Sequence, residues 1–131
     1  MKNIKNIIKL GIILFSIDFI YLKSIGSFFN KKMKLIQKEP FELNKFGALL
    51  CYSFLILGLY HFVIKNIDKN TVLKKQKTLI KDAFILGFVI YGVFETTNYA
   101  IFKNWSVELL ILDTIWGGIL FSLTTYIYLR L

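Results

Sequence analysis

The stretch that decides the fold spans residues 83–129 and reads AFILGFVIYGVFETTNYAI-FKNWS-VELLILDTIWGGILFSLTTYIYL. It contains two apolar runs, residues 83–101 and 107–129, which are joined by only five residues. Each run has the roughly 20 residues that an α-helix needs to cross a hydrocarbon core about 30 Å thick. Because the connection is so short, the two helices must form an antiparallel hairpin.

Two further apolar runs, residues 4–25 and 46–64, precede this hairpin. The chain has 131 residues, of which 56% are hydrophobic, and its mean hydropathy is +0.58. It is therefore far more apolar than an ordinary soluble domain. We predict an all-α membrane protein, with one integral membrane domain over residues 1–131 and four transmembrane helices in an up-down bundle.

The connections are rich in lysine, and the net charge of the chain is +9. In a membrane protein such charge reports orientation, so no nucleic-acid partner is predicted. More basic residues belong to the side with both termini and the second connection, which predicts both termini in the cytoplasm. We expect the protein in the cell (inner) membrane. Besides the lipid bilayer itself, the basic loops are expected to bind anionic lipid headgroups.

The segment after residue 25 alternates apolar side chains with lysines and ends at Pro40. This pattern is typical of a short amphipathic helix in the membrane interface, between helices 1 and 2. A solvated basic loop fits the same residues equally well, and the sequence leaves both interpretations open.

Three of the apolar runs carry a carboxylate in otherwise apolar sequence: Asp18, Glu95 and Asp113. A charged group inside a bilayer is costly, so such residues are candidates for a functional site. Glu95 lies nine residues before Asn104 and Asp113 nine residues after it, so the hairpin brings both carboxylates to the same depth. Asp18 lies about as far from the end of its run as Glu95 does. We therefore expect the three acids in one layer.

Other side chains enter this layer from the neighbouring helices. Tyr52 comes from the second run, while Asn98 and Trp116 lie one turn from an acid on the third and fourth. The predicted polar centre consists of Asp18, Tyr52, Tyr91, Glu95, Asn98, Asp113 and Trp116. Such groups can also hydrogen-bond across helices without any ligand, so a purely structural role in packing the bundle is an alternative.

The same residues carry a family resemblance. The stretch Tyr91-Gly-Val-Phe-Glu95-Thr-Thr97-Asn98-Tyr-Ala100, then Trp105, then Asp113-Thr-Ile-Trp116-Gly117 resembles the signature of small bacterial four-helix membrane proteins known as domain of unknown function 2177. That signature is roughly Tyr-Asp-x-Thr-Asn-x-Ala, a Trp, and Asp-x-x-Trp-Gly.

The segment Asp18-Phe-Ile-Tyr21-Leu22 resembles the family's Asp-x-x-Trp-Leu, so the similarity covers nearly the whole chain. Glu95 stands where the family usually has Asp, and Tyr21 where it usually has Trp. The resemblance adds Thr97 to the polar centre and implies an integral membrane protein of unassigned biochemistry.

Two function classes follow beside the structural alternative. In the first, the acids bind or move a proton, a cation or a small solute, as in carriers, and the thin pathway of four helices favours a homodimer. In the second, the protein is an intramembrane enzyme acting on a lipid or isoprenoid substrate through one protonated and one ionised carboxyl group. No cofactor is predicted, and the first class ranks above the second.

Overall fold

A computed structural model describes residues 2–38, 43–67 and 70–131. Four α-helices make up nearly all of it: α1 (Lys2–Gln37), α2 (Lys45–Phe62), α3 (Leu73–Ile101) and α4 (Val107–Arg130). A single 3₁₀ turn, Ile64–Asn66, follows α2, and the described ranges contain no strand. The prediction of an all-α, four-helix membrane fold is confirmed.

The helices pack in an order that differs from their order in the chain. α3 lies along α4 over most of its length, α4 also contacts α1, and α1 in turn contacts α2. All four helices contribute to the buried core, in which Leu10 and Leu14 of α1 and Leu120 and Phe121 of α4 are almost inaccessible. These two helices hold the middle of the bundle, and side chains from α2 and α3 reach inward towards them.

Glycines allow the very close approach of α3 and α4. A Cβ atom added at Gly87 would overlap the backbone of Gly117, and one added at Gly118 would lie 2.7 Å from the ring of Phe84. Small residues at helix crossings are a standard means of association in membranes, where backbones must approach closely to gain packing energy. The hairpin predicted from the short connection is thus a tightly packed pair.

Local signals position the ends of this hairpin. The side chain of Ser106 accepts a hydrogen bond of 3.1 Å from the backbone N–H of Leu109, which caps the start of α4. Asn104 has a φ of 69°, in the left-handed region that asparagine tolerates better than most residues. The chain can therefore reverse direction between Ile101 and Val107.

The surface of the bundle is largely apolar, as a bilayer requires. Three helical segments, Asn3–Gln37, Lys45–Asn66 and Val107–Arg130, are long and apolar enough to cross a membrane. Large apolar side chains such as Ile12, Phe54 and Ile85 are exposed on the helices. In lipid, such exposure costs nothing, because the hydrocarbon tails are as apolar as the side chains.

Two helices are longer than the apolar runs indicate. Residues 25–37 are helical, but they continue α1 instead of forming a separate interfacial helix or a loop, and α1 ends where Lys38 adopts a φ of 63°. α3 begins at Leu73, ten residues before its apolar run, because leucine, lysine and glutamine in this segment are good helix formers. Pro40 lies outside the described residues.

Candidate functional site

Asp18 on α1 joins three helices through hydrogen bonds. The indole N–H of Trp116 on α4 donates to its Oδ1 atom at 2.9 Å, and the hydroxyl of Tyr52 on α2 donates to its Oδ2 atom. Asp18 is only 5% exposed. Both oxygens of this buried carboxylate therefore have a neutral partner, which reduces the cost of placing it inside the bundle.

Asp113 on α4 is bound in a similar way. The hydroxyl of Tyr21, one turn after Asp18 on α1, donates to its Oδ1 atom. The ring of Tyr21 stacks on that of Trp116 with a centroid distance of 4.2 Å and an interplanar angle of 4°. Trp116 donates to Asp18 and Tyr21 donates to Asp113, so the two stacked rings lie between the two aspartates in the hydrogen-bond network.

Glu95 on α3 completes the arrangement. It is 4% exposed, and the indole N–H of Trp105, in the connection between α3 and α4, donates to its Oε1 atom at 3.0 Å. Its carboxyl group also lies within hydrogen-bonding range of the carboxyl group of Asp113. The two acids that stand nine residues on either side of Asn104 thus meet across the hairpin.

We call this network the acidic centre. It comprises three acids and their four hydrogen-bond donors: Asp18, Glu95, Asp113, Tyr21, Tyr52, Trp105 and Trp116. All four helices contribute, and Trp105 is the member that lies outside a helix.

Three further residues were predicted to belong to the polar centre, and they differ in burial and in their position relative to the acids. Tyr91 on α3 is partly buried, and its ring lies against Gly117 of α4. Asn98 is partly buried and lies one turn beyond Glu95 on the same side of α3. Thr97 is exposed, and none of the hydrogen bonds between described side chains connects it to the acids. Two residues after Glu95, it points about 200° away around the helix.

Two members of the acidic centre, Tyr21 and Trp105, were not predicted to belong to the polar centre. A signal for Tyr21 exists in the sequence, because a residue three positions after Asp18 lies on the same face of a helix. Helical periodicity could not predict that Trp105 belongs to the acidic centre, because this residue lies in the connection between α3 and α4. Only its place in the family-like signature marks it.

The electrostatic character of the acidic centre is set by its donors. All four are neutral groups, two phenols and two indoles, so none of them balances the charge of a carboxylate. Within the described ranges, the ion pair that the structure shows joins Lys32 and Glu108 at 3.7 Å, and Glu108 is largely exposed. Among the residues that the structure describes, the three acids are therefore held without a basic side chain.

Carboxylate-rich sites of this kind can accept a positively charged ligand. No group of three or more His, Cys, Asp or Glu side chains among the described residues is arranged to hold a metal ion. The acidic centre therefore consists of carboxyl groups, phenols and indoles. Its carboxyl groups can bind or exchange protons and attract cations.

Comparison with known proteins agrees with the membrane character of the fold. A family model described as predicted membrane protein (DUF2177) matches residues 3–129. No curated protein and no solved structure matches the chain.

Proposed function

The chain belongs to the family of predicted membrane proteins DUF2177, and on that premise we propose that it binds a cation at the acidic centre. The ligand class comprises the proton and small cationic solutes. The observation that carries this proposal is the pairing of three acids, of which Asp18 and Glu95 are buried and Asp113 is partly buried, with neutral donors alone. A cation would supply the charge that these donors lack.

The energetics of burial support the proposal. An ionised carboxylate inside a bilayer costs from a few kcal/mol upward, even after hydrogen bonding has offset part of its lost hydration. Three such groups within one network also repel one another. A bound cation lowers both costs, so the acidic centre gains free energy from a ligand of positive charge.

The position of the acids favours a small ligand. Asp18 and Glu95 are almost inaccessible, and both oxygens of Asp18 and one oxygen of Glu95 already accept a bond from an aromatic donor. A lipid or isoprenoid substrate would have to displace several of these contacts before it reached a carboxyl group. A proton or a small cation requires far less rearrangement.

Cation binding can be measured through its effect on thermal unfolding. A ligand that binds only the folded protein adds about 2.7 kcal/mol of stability at a concentration 100 times its dissociation constant. We expect the unfolding midpoint of the purified protein in nanodiscs to depend on pH or on added sodium, potassium or tetramethylammonium. Glu95→Gln and Asp113→Asn should abolish that dependence.

A matched control is Glu108→Gln, which removes a carboxylate from the exposed start of α4. This variant should keep the dependence seen in the wild type. If all variants respond to pH and cations as the wild type does, the acidic centre binds no cation and its polar residues serve only to pack the bundle.

A further inference from the structure

The hydrogen bonds of the acidic centre engage its carboxylate oxygens unequally. Both oxygens of Asp18 accept a bond from an aromatic donor, as do Oδ1 of Asp113 and Oε1 of Glu95. The oxygens that accept none of these four bonds are Oδ2 of Asp113 and Oε2 of Glu95. The least engaged oxygens of the centre therefore belong to Glu95 and Asp113.

The contact between these two acids itself requires a proton. An ionised carboxylate only accepts hydrogen bonds, so two ionised carboxylates cannot be bonded to each other. The carboxyl groups of Glu95 and Asp113 nevertheless lie within hydrogen-bonding range. One proton between them supplies the missing donor and removes the repulsion of two like charges.

Larger cations fit this arrangement poorly. Ca²⁺ takes six to eight oxygen ligands, and Mg²⁺ demands near-ideal octahedral coordination. The Glu95–Asp113 pair has four carboxylate oxygens in all, two of which already accept a bond from Tyr21 or Trp105, and no group of three or more His, Cys, Asp or Glu side chains among the described residues could hold a metal ion. A proton needs no more than the two acceptors that the pair provides.

Among the described residues, the groups near the pair are acidic or neutral. Tyr21 on α1 and Tyr91 on α3 lie near the pair, and Asp18 on α1 lies near both tyrosines and bonds to Tyr52 on α2 and Trp116 on α4. No ion pair within the described ranges reaches Glu95 or Asp113. A positive charge at the pair therefore has to come from a bound ligand.

We infer that the cation bound by the acidic centre is a single proton shared between the carboxyl groups of Glu95 and Asp113. This inference rests on the proposed function of the acidic centre as a cation site. It narrows the ligand class to the proton and assigns two of the three acids to it, while Asp18 remains bonded to Trp116 and Tyr52.

Infrared difference spectroscopy of the protein in nanodiscs tests the inference, because it detects the carbonyl stretch of a protonated carboxyl group and its shift in heavy water. The wild type should show the band of one buried protonated carboxyl per chain. Either Glu95→Gln or Asp113→Asn should remove it completely. An amide at one position donates its own N–H to the remaining carboxylate, which then needs no proton.

Two exposed acids on the same helices provide matched controls. Asp82→Asn on α3 and Glu108→Gln on α4 should leave the band unchanged, because neither residue belongs to the acidic centre. Size-exclusion chromatography and circular dichroism identify any variant that fails to fold. The amide variants are close in size to the native side chains and keep hydrogen-bonding capacity.

The possible outcomes separate the inference from the proposed function. Loss of the band in both variants supports the shared proton. If each variant removes only a separate band of its own, the two acids titrate independently and the shared proton is excluded.

If sodium, potassium or tetramethylammonium removes the wild-type band, the acidic centre binds that cation, so the proposed function stands and the inference fails. If the wild type shows no protonated carboxyl and no response to cations, both fail.

Discussion

At the scale of single residues, the choice of donors explains how three acids are tolerated in an apolar bundle. Tyrosine and tryptophan each combine a large apolar ring with one polar group, so they pack against neighbouring helices and still donate a hydrogen bond. Trp116 does both, because its ring stacks on Tyr21 while its N–H bonds to Asp18. A lysine or arginine in the same place would neutralise the acid and exclude a cationic ligand.

Trp105 permits a test of this principle at one bond. Trp105→Phe keeps an aromatic ring near Phe102 but removes the N–H that bonds to Glu95. We expect the free energy of unfolding in detergent micelles to fall by about 1–3 kcal/mol, because a buried acceptor loses its partner. Denaturant titration followed by circular dichroism measures this change.

Tyr99→Phe is the control for Trp105→Phe. Tyr99 is exposed on α3, so removal of its hydroxyl should change stability by no more than about 0.5 kcal/mol. Equal effects of the two substitutions would mean that the bond between Trp105 and Glu95 contributes nothing to the stability of the bundle.

At the scale of elements, the contact between α3 and α4 decides whether Glu95 and Asp113 meet. Equal spacing from Asn104 brings them to one depth, but depth alone does not bring two side chains together. Gly87 and Gly117 allow the two backbones to approach closely enough. The hairpin therefore positions the acid pair through its turn at one end and its glycines along the interface.

Gly87→Ala should separate the two helices. The added Cβ would overlap the backbone of Gly117, which cannot rotate aside as a flexible side chain can. We expect a loss of about 1–3 kcal/mol in unfolding free energy, as is usual for overpacking. The infrared band of the acid pair should weaken at the same time, because Glu95 moves away from Asp113.

Gly26→Ala on α1 is a matched control, since a Cβ there meets nothing within 4 Å. Alanine is also the better helix former by about 1 kcal/mol, so this change should be neutral or stabilising. If both alanine variants retain full stability, close packing at Gly87 is not required for the hairpin.

At the scale of the whole molecule, the orientation in the membrane determines which aqueous phase lies nearer the acidic centre. Trp105, which bonds to Glu95, belongs to the connection between α3 and α4. In an up-down bundle this connection lies on the face opposite both termini. The acids are thus nearer the face that the termini do not occupy.

We expect reporters fused at Met1 and Leu131 both to be active in the cytoplasm, because basic residues favour that side for the termini and the second connection. A reporter inserted after Asn104 should be active on the opposite face. Termini on opposite faces would show that one of the four helices does not cross the membrane. Both termini outside would reverse the orientation of the acidic centre and leave the bundle intact.

The sequence by itself determined the helical class, the hairpin and the common depth of Glu95 and Asp113. These properties depend on distance along the chain, because each helical residue advances the backbone by about 1.5 Å whatever its neighbours are. The resemblance placed Thr97 in the polar centre, whereas Thr97 is exposed, because two residues rotate a helix by about 200° away from Glu95. Hydropathy alone did not determine where α1 ends or α3 begins, because lysine-rich segments can continue a helix beyond the apolar run.

Only the tertiary structure decided which donor serves which acid. Tyr52 and Trp116 bond to Asp18, whereas Tyr21, on the same helix as Asp18, bonds to Asp113. These pairings depend on the rotation of each helix about its axis and on the distance between axes, both of which result from side-chain packing between segments far apart in sequence. For Trp105 the decisive factor was the path of a five-residue connection, which has no periodicity that could indicate the direction of a side chain.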